Sequence, residues 1–249
     1  MNKNLESLGM LVGFLLTDGC VSSSKFIVFH NKSEEMHKYF QKLATEIFGD
    51  VHFTERLDNN NTKRTQITSK YKVKQLIEFC QIETFRRKRF DNGNFPKVRL
   101  PDFIRTMPKS SILKFLQIIF SADGSISLSV RWHKRNKGWE IRRRIELTCK
   151  HKQLRNDFLE LIKQNGFNPR TSGENITLER KDDILNFFHN VKFIPGVKIG
   201  GDSINWKGLE KNQILELAVK TFDLNKNKLE KFETKQQVID FLRSQIQTS

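Results

Sequence analysis

Two aspartates, each closing an apolar stretch on an Asp-Gly pair, are the residues in this sequence best suited to chemistry. One stretch, residues 11–19, reads LVGFLLTDG, and the other, residues 116–124, reads LQIIFSADG. A single Asp-Gly after an apolar helix is usually a simple turn beside the core. Here the pattern occurs twice, and carboxylate oxygens are ligands that magnesium and calcium prefer. The repetition therefore predicts a pair of metal-binding acids, Asp18 and Asp123.

Each aspartate is expected at the end of a buried helix. Leu8, Leu11, Val12 and Leu15 recur at helical spacing. We expect Gly19 to end this helix in a left-handed conformation, which leaves the aspartate beside unsatisfied helix carbonyls. The second helix is expected to begin with a serine N-cap, Ser110.

Composition narrows the choice of partner. The 249 residues include 44 Lys and Arg against 28 Asp and Glu, a formal net charge of +16. Such a charge favours a polyanionic partner, either nucleic acid or an anionic membrane surface. The sequence contains no run of membrane-spanning length and no signal peptide pattern. Nucleic acid is therefore favoured over a membrane as the partner. We expect the protein in the cytoplasm or in an organelle matrix. The cysteines Cys20, Cys80 and Cys149 form no zinc or disulfide pattern, which fits a reducing compartment.

The chain reads as two copies of one unit. Each Asp-Gly is followed by a predicted hairpin, helix, hairpin and helix, and aligning the halves places Lys32 on Lys150 and Phe40 on Phe158. The pattern predicts an α+β fold of two pseudo-symmetric modules. We expect a first module at 1–95, a linker at 96–109, a second module at 110–222 and a helical extension at 223–249, to which no chemistry is assigned. The basic run at 86–89 is compatible with phosphate contacts or with a solvated helix end.

A predicted strand at 140–149 alternates in a way that suits a DNA groove. One parity is mostly apolar and the other is polar, so an arginine-rich face is expected to point outward beside a basic hairpin tip. A charged face that is merely solvated remains the alternative. The candidate DNA-binding residues of this half are Arg131, His133, Lys134, Arg142, Arg144 and Thr148. A weaker candidate face in the first half contains Arg56, Arg64 and Gln66.

Two lysines occupy matching positions in the repeat. Lys32 and Lys150 each follow the second strand of a module and precede a helix. We expect both near the aspartates, where a lysine could orient a nucleophile or offset developing negative charge. Two carboxylates that meet between modules then suggest metal-assisted cleavage of both strands of a duplex.

The two Asp-Gly stretches resemble the LAGLIDADG motif of homing endonucleases. Residues 100–127 resemble the lead into the second motif of single-chain members, and the resemblance covers residues 5 to about 222. It implies two αββαββα modules whose motif helices pair at the centre, with saddle-shaped antiparallel sheets lying on double-stranded DNA. It also implies a monomer that uses Mg²⁺ to leave short cohesive 3′ ends. Asp18 and Asp123 match the family's catalytic, metal-binding acids, and Lys32 and Lys150 match its basic positions.

Three positions refine this resemblance. Asn31 matches a place where the family often has a polar residue, whereas Cys149 departs from it. Gln117-Ile118 stands where small residues normally let the motif helices approach, and Gly13 is expected to face it from the other helix.

The function expected from these observations is a site-specific homing endonuclease that makes a double-strand break in a long DNA target. Met1 and Ser249 do not supply the splicing residues of intein-embedded relatives, so we expect a free-standing, intron-encoded enzyme. An RNA maturase that assists intron splicing and a non-cutting DNA-binding regulator remain alternatives. Retention of both aspartates favours the nuclease over the regulator but leaves a maturase activity open.

Overall fold

The fold is a tandem repeat in which the strands of each half follow the same order. The computed structural model describes residues 2–22, 25–58, 61–81, 85, 96–135, 137–200, 203–224, 229 and 231–247. Each half contains a four-stranded antiparallel sheet, ordered β1-β2-β4-β3 in the first and β5-β6-β8-β7 in the second. Within these residues, no helix combines the length and apolar character needed to cross a bilayer. The basic run at 86–89 lies outside the described residues.

Module 1 comprises three helices around the first sheet. Its second helix starts at the N-cap Ser33, whose hydroxyl accepts a hydrogen bond from Met36 N, and it ends at Gly49 with a φ of 72°. The elements are α1 Asn2–Leu16, β1 Gly19–Ser22, β2 Phe26–Asn31, α2 Glu34–Phe48, β3 Phe53–Leu57, β4 Lys63–Thr68 and α3 Lys70–Cys80.

Module 2 repeats this order with a longer first hairpin, and among the described residues it is preceded by a short helix and followed by two more. The added helices are α4 Asp102–Arg105 before it and α8 Lys211–Lys220 and α9 Lys235–Gln247 after it. The module itself comprises α5 Lys109–Ala122, β5 Gly124–His133, β6 Gly138–Thr148, α6 Lys152–Gln164, β7 Arg170–Ser172, β8 Asn175–Leu178 and α7 Lys181–Asn190.

Two local predictions about the motif helices were wrong. Helix α5 begins after Pro108, whose carbonyl accepts from Ser111 N and Ile112 N, so Ser110 is not its N-cap. Gly19 is a strand residue rather than a left-handed helix end. Its lack of a side chain serves close packing, because a Cβ there would lie 2.8 Å from Phe14 O. Likewise, a Cβ at Gly124 would lie 2.8 Å from Glu146 O.

The two motif helices, α1 and α5, pack against each other at the centre of the molecule. A Cβ on Gly13 would lie 3.2 Å from Ile118 Cγ2, so this glycine makes room for the isoleucine that faces it. Gln117 is directed elsewhere and donates hydrogen bonds to Val191 O and Phe193 O. The large pair at 117–118 is thus compatible with close helix pairing, since one member leaves the interface and the other meets a glycine.

The C-terminal helices are joined to module 2 by buried polar contacts. The Trp206 indole donates to Leu128 O at 2.8 Å on β5. Arg143, the exception to the alternation of β6, extends to the core-facing side and donates to Ala218 O and Thr221 O at the end of α8. Burial lowers the pKa of this guanidinium to about 10. Arg143 therefore caps the last carbonyls of α8, where positive charge is favoured.

Candidate active site between the two modules

Asp18 and Asp123 occupy equivalent positions just beyond the motif helices. The Asp18 carbonyl accepts from His30 N at 3.0 Å, and the Asp123 carbonyl accepts from Thr148 N at 3.2 Å. Each aspartate is therefore anchored by the last part of the second strand of its own module. Both residues are half-buried, so their carboxylates are not sealed into the core.

The carboxylate of Asp18 is oriented by Asn31. Asn31 Nδ2 donates to Asp18 Oδ2 at 2.6 Å, while Asn31 Oδ1 accepts from Ser33 N at 2.7 Å. Because the oxygen of the amide is occupied by a backbone N–H, the nitrogen must face the carboxylate. In module 2 the matching residue is Cys149, whose thiol is directed at His151 O at 3.6 Å.

A cavity of about 680 Å³ lies beside these residues and is lined by both halves of the chain. The residues on either side of Asp123 line it together with Asp18. Gly196 approaches module 1 so closely that a Cβ there would lie 2.8 Å from Glu35 Cγ. The lining consists of Asp18, residues 30–35, Thr62, Ser121, Ala122, Gly124, Ser125, residues 196–200 and Lys211.

Lys211, the first residue of α8, is a site residue that the sequence analysis missed. Its side chain is buried, and its ammonium donates to Ser121 O at 2.7 Å and Gly124 O at 2.6 Å. Burial lowers the pKa of Lys211 to about 8, although attraction to Asp18 and Asp123 opposes this shift. The ammonium is thus close enough to both aspartates to interact with each. A signal was present in the sequence, because Lys211 falls on the apolar stripe of Ile214, Leu215 and Ala218.

The two lysines that the sequence predicts for the site, Lys32 and Lys150, are placed differently from each other. Lys32 is exposed and lines the cavity beside Asp18. Lys150 lies two residues beyond β6, is exposed, and is not among the described lining residues. The segment after module 2 instead supplies Lys211 and the exposed Lys198, whose loop is held by Ile199 N donating to Leu209 O at 2.8 Å. Matching position in the repeat therefore did not bring Lys150 into the cavity.

The donor set fits a divalent ion that is bound together with a substrate. Within the described residues, no group of three or more His, Cys, Asp or Glu side chains is arranged to hold a metal. Asp18 and Asp123 offer hard oxygen ligands, and Mg²⁺ commonly binds through one or two carboxylates plus waters and phosphate oxygens. These two aspartates are therefore the residues that would hold the ion.

The predicted DNA-binding side chains of module 2 lie on one face of its sheet. The register places Arg131 opposite Glu140, Ser129 opposite Arg142 and Ser127 opposite Arg144. His133 ends β5, Lys134 follows in the turn, and Thr148 donates to Asn175 Oδ1 at 2.9 Å. Carboxylates accompany the arginines, since Arg142 pairs with Glu140 and Arg144 pairs with Glu146 and Glu179.

Module 1 has a corresponding face with less acidic character. Arg56 lies directly opposite Arg64, and Gln66 lies opposite Thr54. Arg64 donates to Gln66 Oε1, and Gln66 donates to Thr68 Oγ1 at 3.1 Å. Arg64, Gln66 and Thr68 thus form a hydrogen-bonded row along β4, and Arg56 lies beside it on the same face.

Comparisons with known proteins agree with this architecture. Residues 6–81 match the family model described as a LAGLIDADG-like domain. A search of curated protein sequences returned no match. Among solved structures, the K262A mutant of I-SmaMI aligns with a TM-score of 0.58 and 13% identity, covering 95% of this chain and 98% of that one. The LAGLIDADG meganuclease I-AabMI bound to uncleaved DNA aligns at 0.55 and 12%, covering 95% and 98%. I-DmoI in complex with DNA and Mn aligns at 0.50 and 14%, covering 76% and 97%.

The chain has the two-module fold of the LAGLIDADG structures to which it is similar, with the two aspartates at equivalent places in the modules. Within the first module, residues 6–81 match the LAGLIDADG-like domain model. The predicted resemblance and the predicted fold class, two α+β modules with four-stranded antiparallel sheets, are confirmed.

Proposed function

We propose that this chain is a homing endonuclease that cuts both strands of a long DNA target by divalent-metal-dependent hydrolysis, and that an intron encodes it. One observation carries the proposal. Asp18 lines the same cavity as the residues flanking Asp123, and the buried ammonium of Lys211 interacts with both carboxylates. A protein that only binds DNA has no need of two acids beside phosphates that they repel.

Similar proteins and the charge of the chain support this proposal. I-AabMI is described as bound to uncleaved DNA, and I-DmoI as in complex with DNA and Mn. The net charge of +16 suits a DNA partner. Both sheets carry arginines on the outward faces described above, and a concave sheet surface with such side chains can read base edges in the major groove.

The proposed mechanism assigns a role to each of the two aspartates and to the lysines at or near the cavity. Asp18 and Asp123 would hold the divalent ion, which would supply positive charge to offset the negative charge that develops on the phosphate. Lys211 places a buried positive charge near both carboxylates, which offsets negative charge that gathers in the cavity. Lys32 and Lys198 are exposed at the cavity and attract the phosphate backbone. The resemblance to the family assigns Lys150 to the second DNA strand. Lys150 is exposed and is not among the described residues that line the cavity.

The first test replaces each aspartate by asparagine. A target is selected from a randomised duplex library with the unaltered protein, and cleavage and binding are then measured separately. We expect Asp18→Asn and Asp123→Asn to abolish cleavage in Mg²⁺ while leaving DNA affinity within about threefold, since phosphate contacts supply most of the affinity. Asp182→Asn, on the exposed start of α7, is the matched control and should cut normally.

The same experiment separates the alternatives. Full cleavage by either aspartate variant would contradict the assignment. If the unaltered protein binds a defined duplex tightly but never cuts it in Mg²⁺ or Mn²⁺, a regulator is the better description. Binding and splicing of an intron RNA, without cleavage of the intronless DNA junction, would instead favour a maturase.

A further inference from the structure

A buried histidine on α2 is hydrogen bonded to the strand end that orients Asp18. His37 is 0% exposed, with Nε2 3.0 Å from Asn31 O and Nδ1 2.7 Å from Thr65 Oγ1. A carbonyl oxygen only accepts hydrogen bonds, so Nε2 carries a hydrogen. In the neutral ring, Nδ1 then accepts from the Thr65 hydroxyl. The imidazole is therefore held from both sides in one orientation.

The hydrogen bonds continue from His37 to the carboxylate. His37 fixes the backbone of Asn31, and the side chain of the same asparagine donates to Asp18 Oδ2 at 2.6 Å. Burial lowers the pKa of His37, which keeps the ring neutral and preserves this arrangement near neutral pH. Thr65, His37, Asn31 and Asp18 thus form a continuous series of contacts from the interior of module 1 to the candidate metal site.

Module 2 contains half of this arrangement. Arg155, at the position of α6 that matches His37, donates Nη1 to Cys149 O at 2.8 Å. Both modules therefore brace the carbonyl of the residue that follows or ends the second strand. Beyond that carbonyl the modules differ, because the amide of Asn31 is replaced by a thiol, a weak donor directed at His151 O.

We propose that His37 is a positioning residue for the metal-binding carboxylate of Asp18, acting through Asn31, and that Arg155 braces module 2 at a residue whose thiol is directed at a backbone carbonyl. The inference rests on the proposed function, because it assumes that Asp18 binds a divalent ion. Its physical basis is that groups behind a metal ligand fix the orientation of that ligand, and their loss typically weakens metal affinity by about 10- to 100-fold.

The test compares two substitutions at one position. His37→Leu removes both ring hydrogen bonds at similar volume, whereas His37→Gln keeps a donor that can reach Asn31 O. We expect the Mg²⁺ concentration for half-maximal cleavage to rise about tenfold in His37→Leu and to return to within about twofold of normal in His37→Gln. DNA affinity should change by less than about twofold in both, because His37 contacts the inner side of the first sheet and neither substitution touches the outward faces that carry the arginines.

A second readout does not depend on cleavage. Mn²⁺ binding to the protein–DNA complex, followed by electron paramagnetic resonance, should weaken by a similar factor in His37→Leu. If His37→Leu does not fold, Thr65→Val removes the partner of Nδ1 while leaving the imidazole in place, and Thr65→Ser is its control. The valine variant should raise the required Mg²⁺ concentration and the serine variant should not.

Arg155→Met is the matched control in module 2, because it removes the same type of backbone brace. It should leave the Mg²⁺ requirement within about twofold of normal. Equal shifts in His37→Leu and Arg155→Met, or a lowered melting temperature in His37→Leu with an unchanged Mg²⁺ requirement, would overturn the proposal. These results differ from a failure of the proposed function, in which the unaltered protein itself cuts no DNA.

Discussion

At the scale of single residues, the buried ammonium of Lys211 distinguishes this site from a simple pair of acids. Its position is rigid, since two backbone carbonyls accept its hydrogens and α8 fixes its backbone. Lys32, by contrast, is exposed and free to rotate toward a phosphate. A fixed positive charge near developing negative charge costs no reorganisation during the reaction, which makes it effective in catalysis.

Removal of this charge should therefore affect the chemical step more than DNA binding. We expect Lys211→Met to lower the single-turnover cleavage rate about 100-fold at saturating Mg²⁺, with DNA affinity nearly unchanged. Lys220→Met, at the exposed end of the same helix, serves as the control. Cleavage of Lys211→Met at the normal rate would show that the ammonium is only structural.

The same lysine predicts a pH dependence of stability. The pKa of Lys211 is about 8 in the folded chain, against 10.5 for an ordinary lysine, so the unfolded chain binds more protons between these two pH values. Stability relative to Lys211→Met should therefore rise with pH from 8 to 10.5, by up to roughly 3 kcal/mol. Urea unfolding of the metal-free proteins across this range measures the difference. A difference that stays constant with pH would contradict the expectation.

Sequence reasoning singles out candidate site residues that are marked by local pattern and misses candidates that depend on tertiary contacts. Asp18 and Asp123 were identified because each closes a repeated motif. Lys211 was missed because its position on an apolar stripe indicates burial but does not show which distant groups its ammonium contacts. Lys150 was predicted from its match with Lys32, yet equivalent backbone positions in two modules have different neighbours.

At the scale of elements, close backbone packing explains the glycines of the two motifs better than helix termination does. Gly124 lies between the last turn of α5 and the paired strand β6, since its missing Cβ would meet Phe120 O and Glu146 O. Both obstacles are backbone atoms, which cannot rotate away. The sequence predicts that a glycine is needed after the aspartate, but the physical reason appears only when strand and helix are placed together.

This packing predicts a graded series of glycine substitutions. Gly124→Ala should destabilise the protein by about 3 kcal/mol, because the strand must shift to admit a methyl group. Gly13→Ala should cost less, about 1 kcal/mol, because its neighbours Ile118 and Phe115 are side chains at 3.2–3.3 Å. Gly200→Ala, with no atom within 4 Å, is the control and should change stability by less than about 0.5 kcal/mol. Denaturant unfolding would test this order, and equal effects at all three positions would refute it.

Strand alternation predicted the outward faces of the sheets but not their electrostatics. The parity of β6 places Arg142 and Arg144 on the outward face because side chains alternate strictly along a strand. The partner Glu179 follows another strand, so its ion pair with Arg144 could not be read from local sequence. Arg143 broke the alternation because it caps α8, an element far away in the chain.

At the scale of the whole molecule, the two modules share a backbone arrangement but differ in the side chains that surround their aspartates. The strand order is the same in both sheets, and equivalent backbone hydrogen bonds hold the two aspartates. The supporting side chains differ, with Asn31 and His37 in one module and Cys149 and Arg155 in the other. The repeat was therefore predictable from sequence because it is built from local patterns, whereas the differences within the site required the complete fold.

The close approach of Gly196 to Glu35 has a consequence for protein engineering. The loop at 196–200 belongs to the second half of the chain but forms part of the wall beside Asp18 in the first half. A chimera that joins either half to a foreign partner would consequently exchange the surroundings of Asp18 as well as one of the two sheets. Hybrid proteins made from this scaffold should retain the native loop and the start of α8 whenever the native first half is kept.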